Sequence, residues 1–277
     1  IKQIAQSIVA QPPLDLTVKQ NPEEWAQKLQ GTLLPNGSVR LFNNPKIQNL
    51  TGYTEGEWWV QDVAASLPVQ ILGADLSGKK VLDLCAAPGG KTAQLAARGA
   101  KVTAIDISSD RLNTLQKNMQ RLGYTDIKAI AVDALDFLQN TKEKFDIILL
   151  DAPCSATGTF RRHPEILQIK TIEDVVLQVQ LQSKLLNLCH LALKIGGTLV
   201  YSTCSISKNE GENQISLFLK NSPHFKISPI FEKEISPMGS WQTSMISENG
   251  TIRTLPFYLY SLGGMDSFFI CKLKRII

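Results

Sequence analysis

Two cysteines stand where covalent chemistry would need them. In DAPCSATGTFRRH, Asp151 to His163, Cys154 follows a proline at the end of an apolar run. Fifty residues later Cys204 sits in YSTCS after another strand-forming run. A thiolate is a strong nucleophile once nearby cations or backbone N–H groups lower its pKa. A pyrimidine ring is a poor nucleophile at C5. A thiolate added across C6 makes it an enamine-like species that can attack a methyl sulfonium, and a base must then remove the C5 proton before the thiolate leaves. One cysteine as nucleophile and a second group as base meet that requirement. Asp151 is placed to steady the N3 edge of such a ring and donate a proton there. The plainer reading of a cysteine is a small buried hydrophobe. It suits Cys189, inside a helical apolar pattern, and Cys271, in the last strand segment; Cys85 reads as loop packing.

A cofactor has a candidate seat beside the thiols. LDLCAAPGGKT follows one strand and opens a helix, and Gly89 and Gly90 permit a tight turn with close backbone approach. Asp106 ends the next strand sixteen residues after Gly90, where a carboxylate can accept hydrogen bonds from ribose hydroxyls. Asp133 follows a third strand, placed for an adenine edge, although an Asp there is also a common helix cap. Asp151 ends a fourth. This set admits a nicotinamide nucleotide or S-adenosylmethionine, and the loop is not GxGxxG.

These positions require a particular scaffold. From Lys79 the segments KKVLDLCA, KVTAIDI, IKAIAV, FDIILLDAP and GGTLVYSTC read as strands. KTAQLAARG, SSDRLNTLQKNMQRLG and EDVVLQVQLQSKLLNLCHLAL read as helices among them. Strands alternating with helices predict an α/β fold with a mostly parallel sheet covered on both faces. TIRTLP and SFFICKLK read as late strands at an antiparallel edge. EKEISPMGSWQTSMISENGTIRTLPF carries few other landmarks. Residues 1–75 read as a small α+β module: a short helix-like opening, strands at LDLTVK and SVRLF, an Asn-capped helix in NPEEWAQKL, and a helix in VQDVAASLPVQILG leading into domain 76–277.

Composition narrows the class. At 277 residues, 43% hydrophobic and 19% charged, the chain suits one sizeable globular domain with an appendage. No apolar run is long enough for a membrane span. Five scattered cysteines with no CxxC pair, and three histidines, argue against a disulfide scaffold and a zinc site, and favour a reducing cytoplasm. The net charge of +4 is compatible with a polyanionic partner; residues 1–70 hold five Lys/Arg against six Asp/Glu, so a positive face must come from later segments. IKQIAQSIVA lacks an initiator methionine and a cleavage signal, and reads as the interior of a longer chain.

DLCAAPGGKT, AID, DAPCSATGTFRRHPEI and YSTCSISKNEGENQ together resemble the motif series of the RNA cytosine-C5 methyltransferases of the NOL1/NOP2/Sun group. The resemblance runs from PPLDLTVK to the carboxyl terminus. GYTEGEWWVQDVAASL is similar to the segment before the catalytic domain in the bacterial 16S ribosomal RNA members called Sun or Fmu (RsmB-like), here without their amino-terminal helical domain. The resemblance implies a Rossmann-like S-adenosylmethionine-dependent methyltransferase domain with a mostly parallel seven-stranded sheet, behind an RNA-recognition-like module. It implies Cys204 as nucleophile and Cys154 as the cysteine of elimination, with Asp151 in the catalytic set. For the cofactor it implies Cys85, Ala86, Ala87, Pro88, Gly89, Gly90 and Lys91, then Asp106, Arg111, Asp133 and Asp151. The chain departs from the group's DGFF-like sequence near its end, with Ser267 in GGMDSFF replacing the glycine.

A target cytosine must be unstacked to reach such a site. Arg161, Arg162 and His163 are the expected phosphate contacts, with Lys2, Lys19, Lys28 and Arg40 as weaker candidates. Trp58 and Trp59 are expected at a domain interface rather than stacked on a base. The expected partner is 16S ribosomal RNA, met by a monomer without metal. Transfer RNA is the alternative substrate, and a non-catalytic RNA-binding ribosome-assembly factor is the alternative without chemistry. Nicotinamide oxidoreduction leaves the paired thiols unexplained, and an amino-group methyltransferase wants Asn/Asp-Pro-Pro-aromatic where this chain has Asp-Ala-Pro-Cys.

Overall fold

A computed structural model of the chain describes residues 11–42, 45–241 and 245–277. The opening helix expected in IKQIAQSIVA, and Lys2 with it, lie outside the described residues. The first sheet is built from β1 (Leu14–Val18), β2 (Thr32–Leu33), β3 (Val39–Leu41) and β4 (Trp58–Val60), in the order β2-β3-β1-β4, all antiparallel. Helix α1 (Pro22–Lys28) packs on it, started by a proline whose missing N–H is not needed there and by Glu23 and Glu24 at the positive end of the helix dipole. Asn21 holds the N-cap position with a left-handed φ of 53° but its side chain makes no capping bond, its Nδ2 donating instead to Glu24 at 3.4 Å. Leu16, Val39, Leu41, Trp25 and Trp58 form the core of this layer.

Helix α2 (Val63–Gln70), capped by Asp62 through the Ala64 N–H at 2.8 Å, leads into the second sheet. There β5 (Lys80–Leu84), α3 (Gly90–Ala97), β6 (Lys101–Asp106), α4 (Ser109–Arg121), β7 (Lys128–Ala131), α5 (Ala134–Asn140) and β8 (Phe145–Asp151) alternate. The short α6 (Ile166–Ile169) and long α7 (Ile172–Ala192) precede β9 (Leu193–Thr203). They are followed by α8 (Glu212–Asn221), β10 (Phe225–Ile227), α9 (Glu232–Ile235), β11 (Ile252–Arg253) and β12 (Phe269–Arg275). The order is β10-β12-β9-β8-β5-β6-β7, parallel from β9 through β7 and antiparallel at β10 and β12. The path has the expected seven strands, and the two-residue β11 adds an eighth against the start of β12.

Both faces of this sheet are apolar, as a parallel sheet covered on both sides requires. Ile147 and Leu149 of β8 enter one core with α2, whereas Ile148 and Leu150 enter the other with Leu185, Leu186 and Cys189 of α7. Register then fixes the site: Leu84 lies beside Ile105 and Leu150, and Asp151 beside Ser202. The carboxyl ends of β5, β6, β8 and β9 thus stand in a row, and the loop after each opens onto the same edge. Among the described residues no helix is long and apolar enough to cross a membrane.

Candidate active site

The loop after β5 leaves the strand through Cys85 at a φ of 61° and turns into α3 through Gly89 at 104°. Glycine is required at residue 89, because a Cβ there would stand 2.8 Å from Leu115 Cγ in a conformation that side chains disfavour. Asp106 ties the loop to β6: its carboxylate accepts from the N–H groups of Ala87 and Ser108, each at 3.1 Å, and pairs with Arg111 at 3.3 Å. Arg111 also donates to Ala87 O. Asp133 is the N-cap of α5, its Oδ1 accepting from Leu135 N–H at 2.7 Å.

The expected cofactor residues divide between two cavities. Cys85, Asp106, Arg111 and Asp133 line one of about 240 Å³ with Ile107, Leu135, Pro153 and the α7 residues Gln178, Leu181 and Leu185. Ala86, Ala87, Pro88, Gly89, Gly90, Lys91 and Asp151 instead line a larger one, about 500 Å³, with Cys204, Arg162, Phe268 and Trp59. The loop is therefore the wall between them.

The two thiols meet, with Cys154 Sγ and Cys204 Sγ 3.4 Å apart. The Cys154 pKa is raised well above the usual thiol value, first by its hydrogen bond to Cys204, then by burial and by the charges of Cys204 and Glu210. The raised pKa favours the protonated form of Cys154, and either sulfur can donate across the contact. Beside them Lys91 Nζ donates to Asp151 Oδ2 at 2.7 Å, and Ser202 Oγ donates to Asp151 Oδ1 at 2.8 Å. Burial disfavours the Lys91 charge, but Asp151, with Cys204 and Asp83 behind it, outweighs burial and raises the ammonium pKa. Cys189 and Cys271 are core residues, as expected.

Two carboxylates of this site were not read from the sequence. Asp83, buried in β5, accepts from Thr92 Oγ1 at 2.6 Å and leaves Oδ1 without a partner among the described residues; burial, aided by Asp151 and Asp106, pushes its pKa up to about 7. A charged residue among the apolar residues of VLDL was the signal for it. Glu210, six residues after Cys204, is buried and accepts from Ser155 and Ser205, the residues that follow the two cysteines. The Gly158 N–H donates to Cys204 O at 2.9 Å, and the Ser267 N–H to Gly158 O at 2.9 Å. Ser267, which replaces the glycine, is therefore two hydrogen bonds from Cys204 by way of Gly158, and its buried hydroxyl has no partner among the described residues.

The basic candidates are corrected in part. Arg161 does not face solvent: its side chain is 1% exposed, donating to Asp62 Oδ2 at 3.0 Å and Gly263 O at 2.6 Å. It therefore cannot meet a phosphate. Arg162, whose side chain is 40% exposed, lines the larger cavity while bound to Asp266 through Nε at 2.9 Å. His163 is exposed and 3.2 Å from Glu165. Arg40 is fully buried against Asp15 at 2.7 Å, because it ties the small sheet to the carbonyls of Leu262 and Gly264. Lys19 donates to Leu122 O at 2.6 Å, and Lys28 pairs with Glu24 on the surface. Trp58 is core of the small sheet, and Trp59 packs with Ala86 and Ala93 of the other, the interface role expected for it. No cluster of metal-ligating side chains occurs among the described residues.

Comparison with known proteins adds an independent line. The family model described as 16S rRNA methyltransferase RsmB/F matches residues 71–274. The ribosomal RNA small subunit methyltransferase B of Klebsiella pneumoniae is 39% identical over 237 residues, covering 80% of this chain and 54% of that protein. The chain thus spans about half the length of the curated relatives it matches. A methyltransferase homolog protein from Pyrococcus horikoshii superposes with a TM-score of 0.77 at 26% identity, over 99% of this chain and 90% of that one. NSun6 from the same organism, solved with SFG, gives 0.70 at 28% identity, over 84% of this chain and 57% of its own.

Proposed function

The chain belongs to the 16S rRNA methyltransferase RsmB/F family, and from that premise we propose that it methylates C5 of a cytosine in RNA, with small-subunit ribosomal RNA as substrate and S-adenosylmethionine as methyl donor. The observation that carries the proposal is the 3.4 Å contact between Cys154 and Cys204 at the rim of a cavity shared with Asp151 and Lys91. A nicotinamide reaction has no use for such a pair.

The smaller cavity suits a nucleoside, with the carboxylates of Asp106 and Asp133 at its polar end and Leu181, Leu185 and Ile107 for an apolar ring. Cys85, Arg111 and the 86–91 loop complete that seat. S-adenosylmethionine, when bound, supplies an electrophilic methyl group on sulfonium. The larger cavity takes the unstacked cytosine, with Arg162 and His163 at its phosphates.

In this reading Cys204 adds through its thiolate to C6, the C5=C6 pair shifts to C4–C5 and the C4=N3 pair to N3, and N3 takes up a proton passed from the Lys91 ammonium through the Asp151 carboxylate that it and Ser202 hold. After C5 carries the methyl group, loss of its proton re-forms C5=C6 and expels the Cys204 thiolate. Cys154 serves this second half. Lying 3.4 Å from Cys204, it takes the C5 proton as a thiolate, while the C5–H pair re-forms C5=C6 and the Cys204–C6 bond breaks to release the Cys204 thiolate. The same reading divides the chain at about residue 75 into an RNA-recognition-like module and a catalytic domain. It makes the protein a cytoplasmic monomer without metal.

The test incubates small-subunit ribosomal RNA with tritiated S-adenosylmethionine and wild type, C204A or C154A. Product is scored as 5-methylcytosine, and protein–RNA adducts are resolved on a denaturing gel. Expected are product with wild type, no adduct with C204A, and a persistent adduct with C154A. Product on transfer RNA alone would move the substrate. Cofactor binding without product on either RNA, with the full-length protein tested as well, would overturn the catalytic reading.

A further inference from the structure

Glu210 lines neither cavity, yet it is among the most thoroughly enclosed carboxylates of the chain. Among the described residues it makes no ion pair. Its oxygens accept from neutral donors: Ser155 N–H at 2.8 Å, Ser155 Oγ at 2.5 Å, Gln182 Nε2 at 3.1 Å and Ser205 Oγ. Ser155 follows Cys154 and Ser205 follows Cys204. The same Gln182 Nε2 donates to Pro153 O at 2.8 Å, on the other side of Cys154. The backbone of Glu210 is anchored in turn, its carbonyl accepting from Tyr201 OH at 2.8 Å on β9. A buried carboxylate without a cation is unfavourable against a neutral side chain of the same shape. Its placement across two catalytic turns gives it a use that a core residue would lack.

We propose that Glu210 is a positioning residue for the reaction proposed above, clamping the turns behind Cys154 and Cys204 so that the two sulfur atoms stay in hydrogen-bond contact. The proposal rests on that reaction for its purpose, though not for its geometry. The charge has a second effect in the same direction: Glu210 is one of the groups that favour the protonated form of Cys154. Clamp and charge together favour the protonated form of one thiol and leave the other as nucleophile. A carboxylate that merely closed two turns would affect stability and leave the order of thiol reactivity alone.

The test follows iodoacetamide labelling of each cysteine by mass spectrometry from about pH 6 to 9, in wild type and Glu210→Gln, with no RNA or methyl donor present. Wild type is expected to label Cys204 ahead of Cys154. In Glu210→Gln the Cys154 profile is expected to move to lower pH, with labelling near pH 8 faster by about tenfold, the equivalent of one pKa unit. Wild-type profiles for both cysteines in a folded Glu210→Gln protein would overturn the proposal. Ser205→Ala, which removes one donor and keeps the charge, guards against a Glu210 variant that does not fold. It is expected to lower kcat for methyl transfer about fivefold, one hydrogen bond's worth, with KM for RNA unchanged, and an unchanged kcat would also overturn the clamp. Because labelling needs no substrate, failure of the proposed reaction would leave that readout intact. Unchanged labelling alongside normal methyl transfer would remove Glu210 alone.

Discussion

Arg161→Met separates a buried structural arginine from a phosphate contact. The guanidinium lies between two buried carboxylates, 3.0 Å from Asp62 and 3.6 Å from Asp266, and also satisfies Gly263 O. Removing one partner of a buried ion pair costs about 3–5 kcal/mol, because the other charge is left uncompensated. Two terms reduce that here. Arg162 still pairs with Asp266, and the Arg161 Nε is already buried without a partner among the described residues, a penalty that the substitution relieves. The lost bond to Gly263 adds back about 1 kcal/mol. The expected destabilisation is about 3–4 kcal/mol, a large share of the 5–15 kcal/mol typical of a domain. At about 2–4 °C per kcal/mol for a chain of this size, Tm should fall by roughly 6–16 °C. Urea unfolding reads the stability, and RNA binding across a salt series reads the contact. RNA affinity at temperatures where the variant is folded should keep its wild-type salt slope. A variant as stable as wild type, whose slope falls by about 0.7–0.9, would refute the reasoning and restore Arg161 to the RNA.

Further consequences follow from the same contacts. Asp83 has a folded pKa of about 7 against 3.8 for an ordinary aspartate carboxyl, so the native state binds more protons across that window and stability is lost as pH rises through it. Asp83→Asn should therefore gain stability over wild type on going from about pH 4 to 8 in thermal unfolding, and a pH-independent difference would count against the buried charge. Gly158→Ala would place a Cβ 2.1 Å from Ser267 O and 2.9 Å from Cys204 O, both backbone atoms. It should destabilise by about 1–3 kcal/mol and lower methyl transfer about a hundredfold as Cys204 shifts, measured by urea unfolding and single-turnover assays. Among the described residues, Lys91→Met leaves Asp151 held by Ser202 alone. It should reduce kcat by at least about tenfold with little change in Tm, and wild-type turnover would remove Lys91 from the site.

Much of this architecture was legible along the chain. Period-two and continuous apolar runs marked β5 through β9, the Ser108 cap and following glycine bounded α4, and chemistry-bearing residues stood where strands end. Those signals are local, since propensity, periodicity and caps act over a few residues. The motif series added the pairing of the thiols. Asp133 illustrates the boundary, because its position after a strand suits both a helix cap and a cavity wall, and it is both.

What only the tertiary structure decided concerns neighbours far apart in sequence. Parallel pairing of β8 with β9 in the register Asp151 to Ser202 brings Cys154 and Cys204 to 3.4 Å. Consecutive arginines in an irregular turn carry no periodicity, so nothing local told that Arg161 would be enclosed by Asp62 and Asp266 while Arg162 opened onto the cavity. Glu210 is the sharpest case. A carboxylate in KNEGEN reads as a solvated charge until folding surrounds it with Ser155, Gln182 and Ser205. Burial and long-range hydrogen bonding are properties of the packed whole, and the free energy of a charge depends on what surrounds it rather than on its place in the chain.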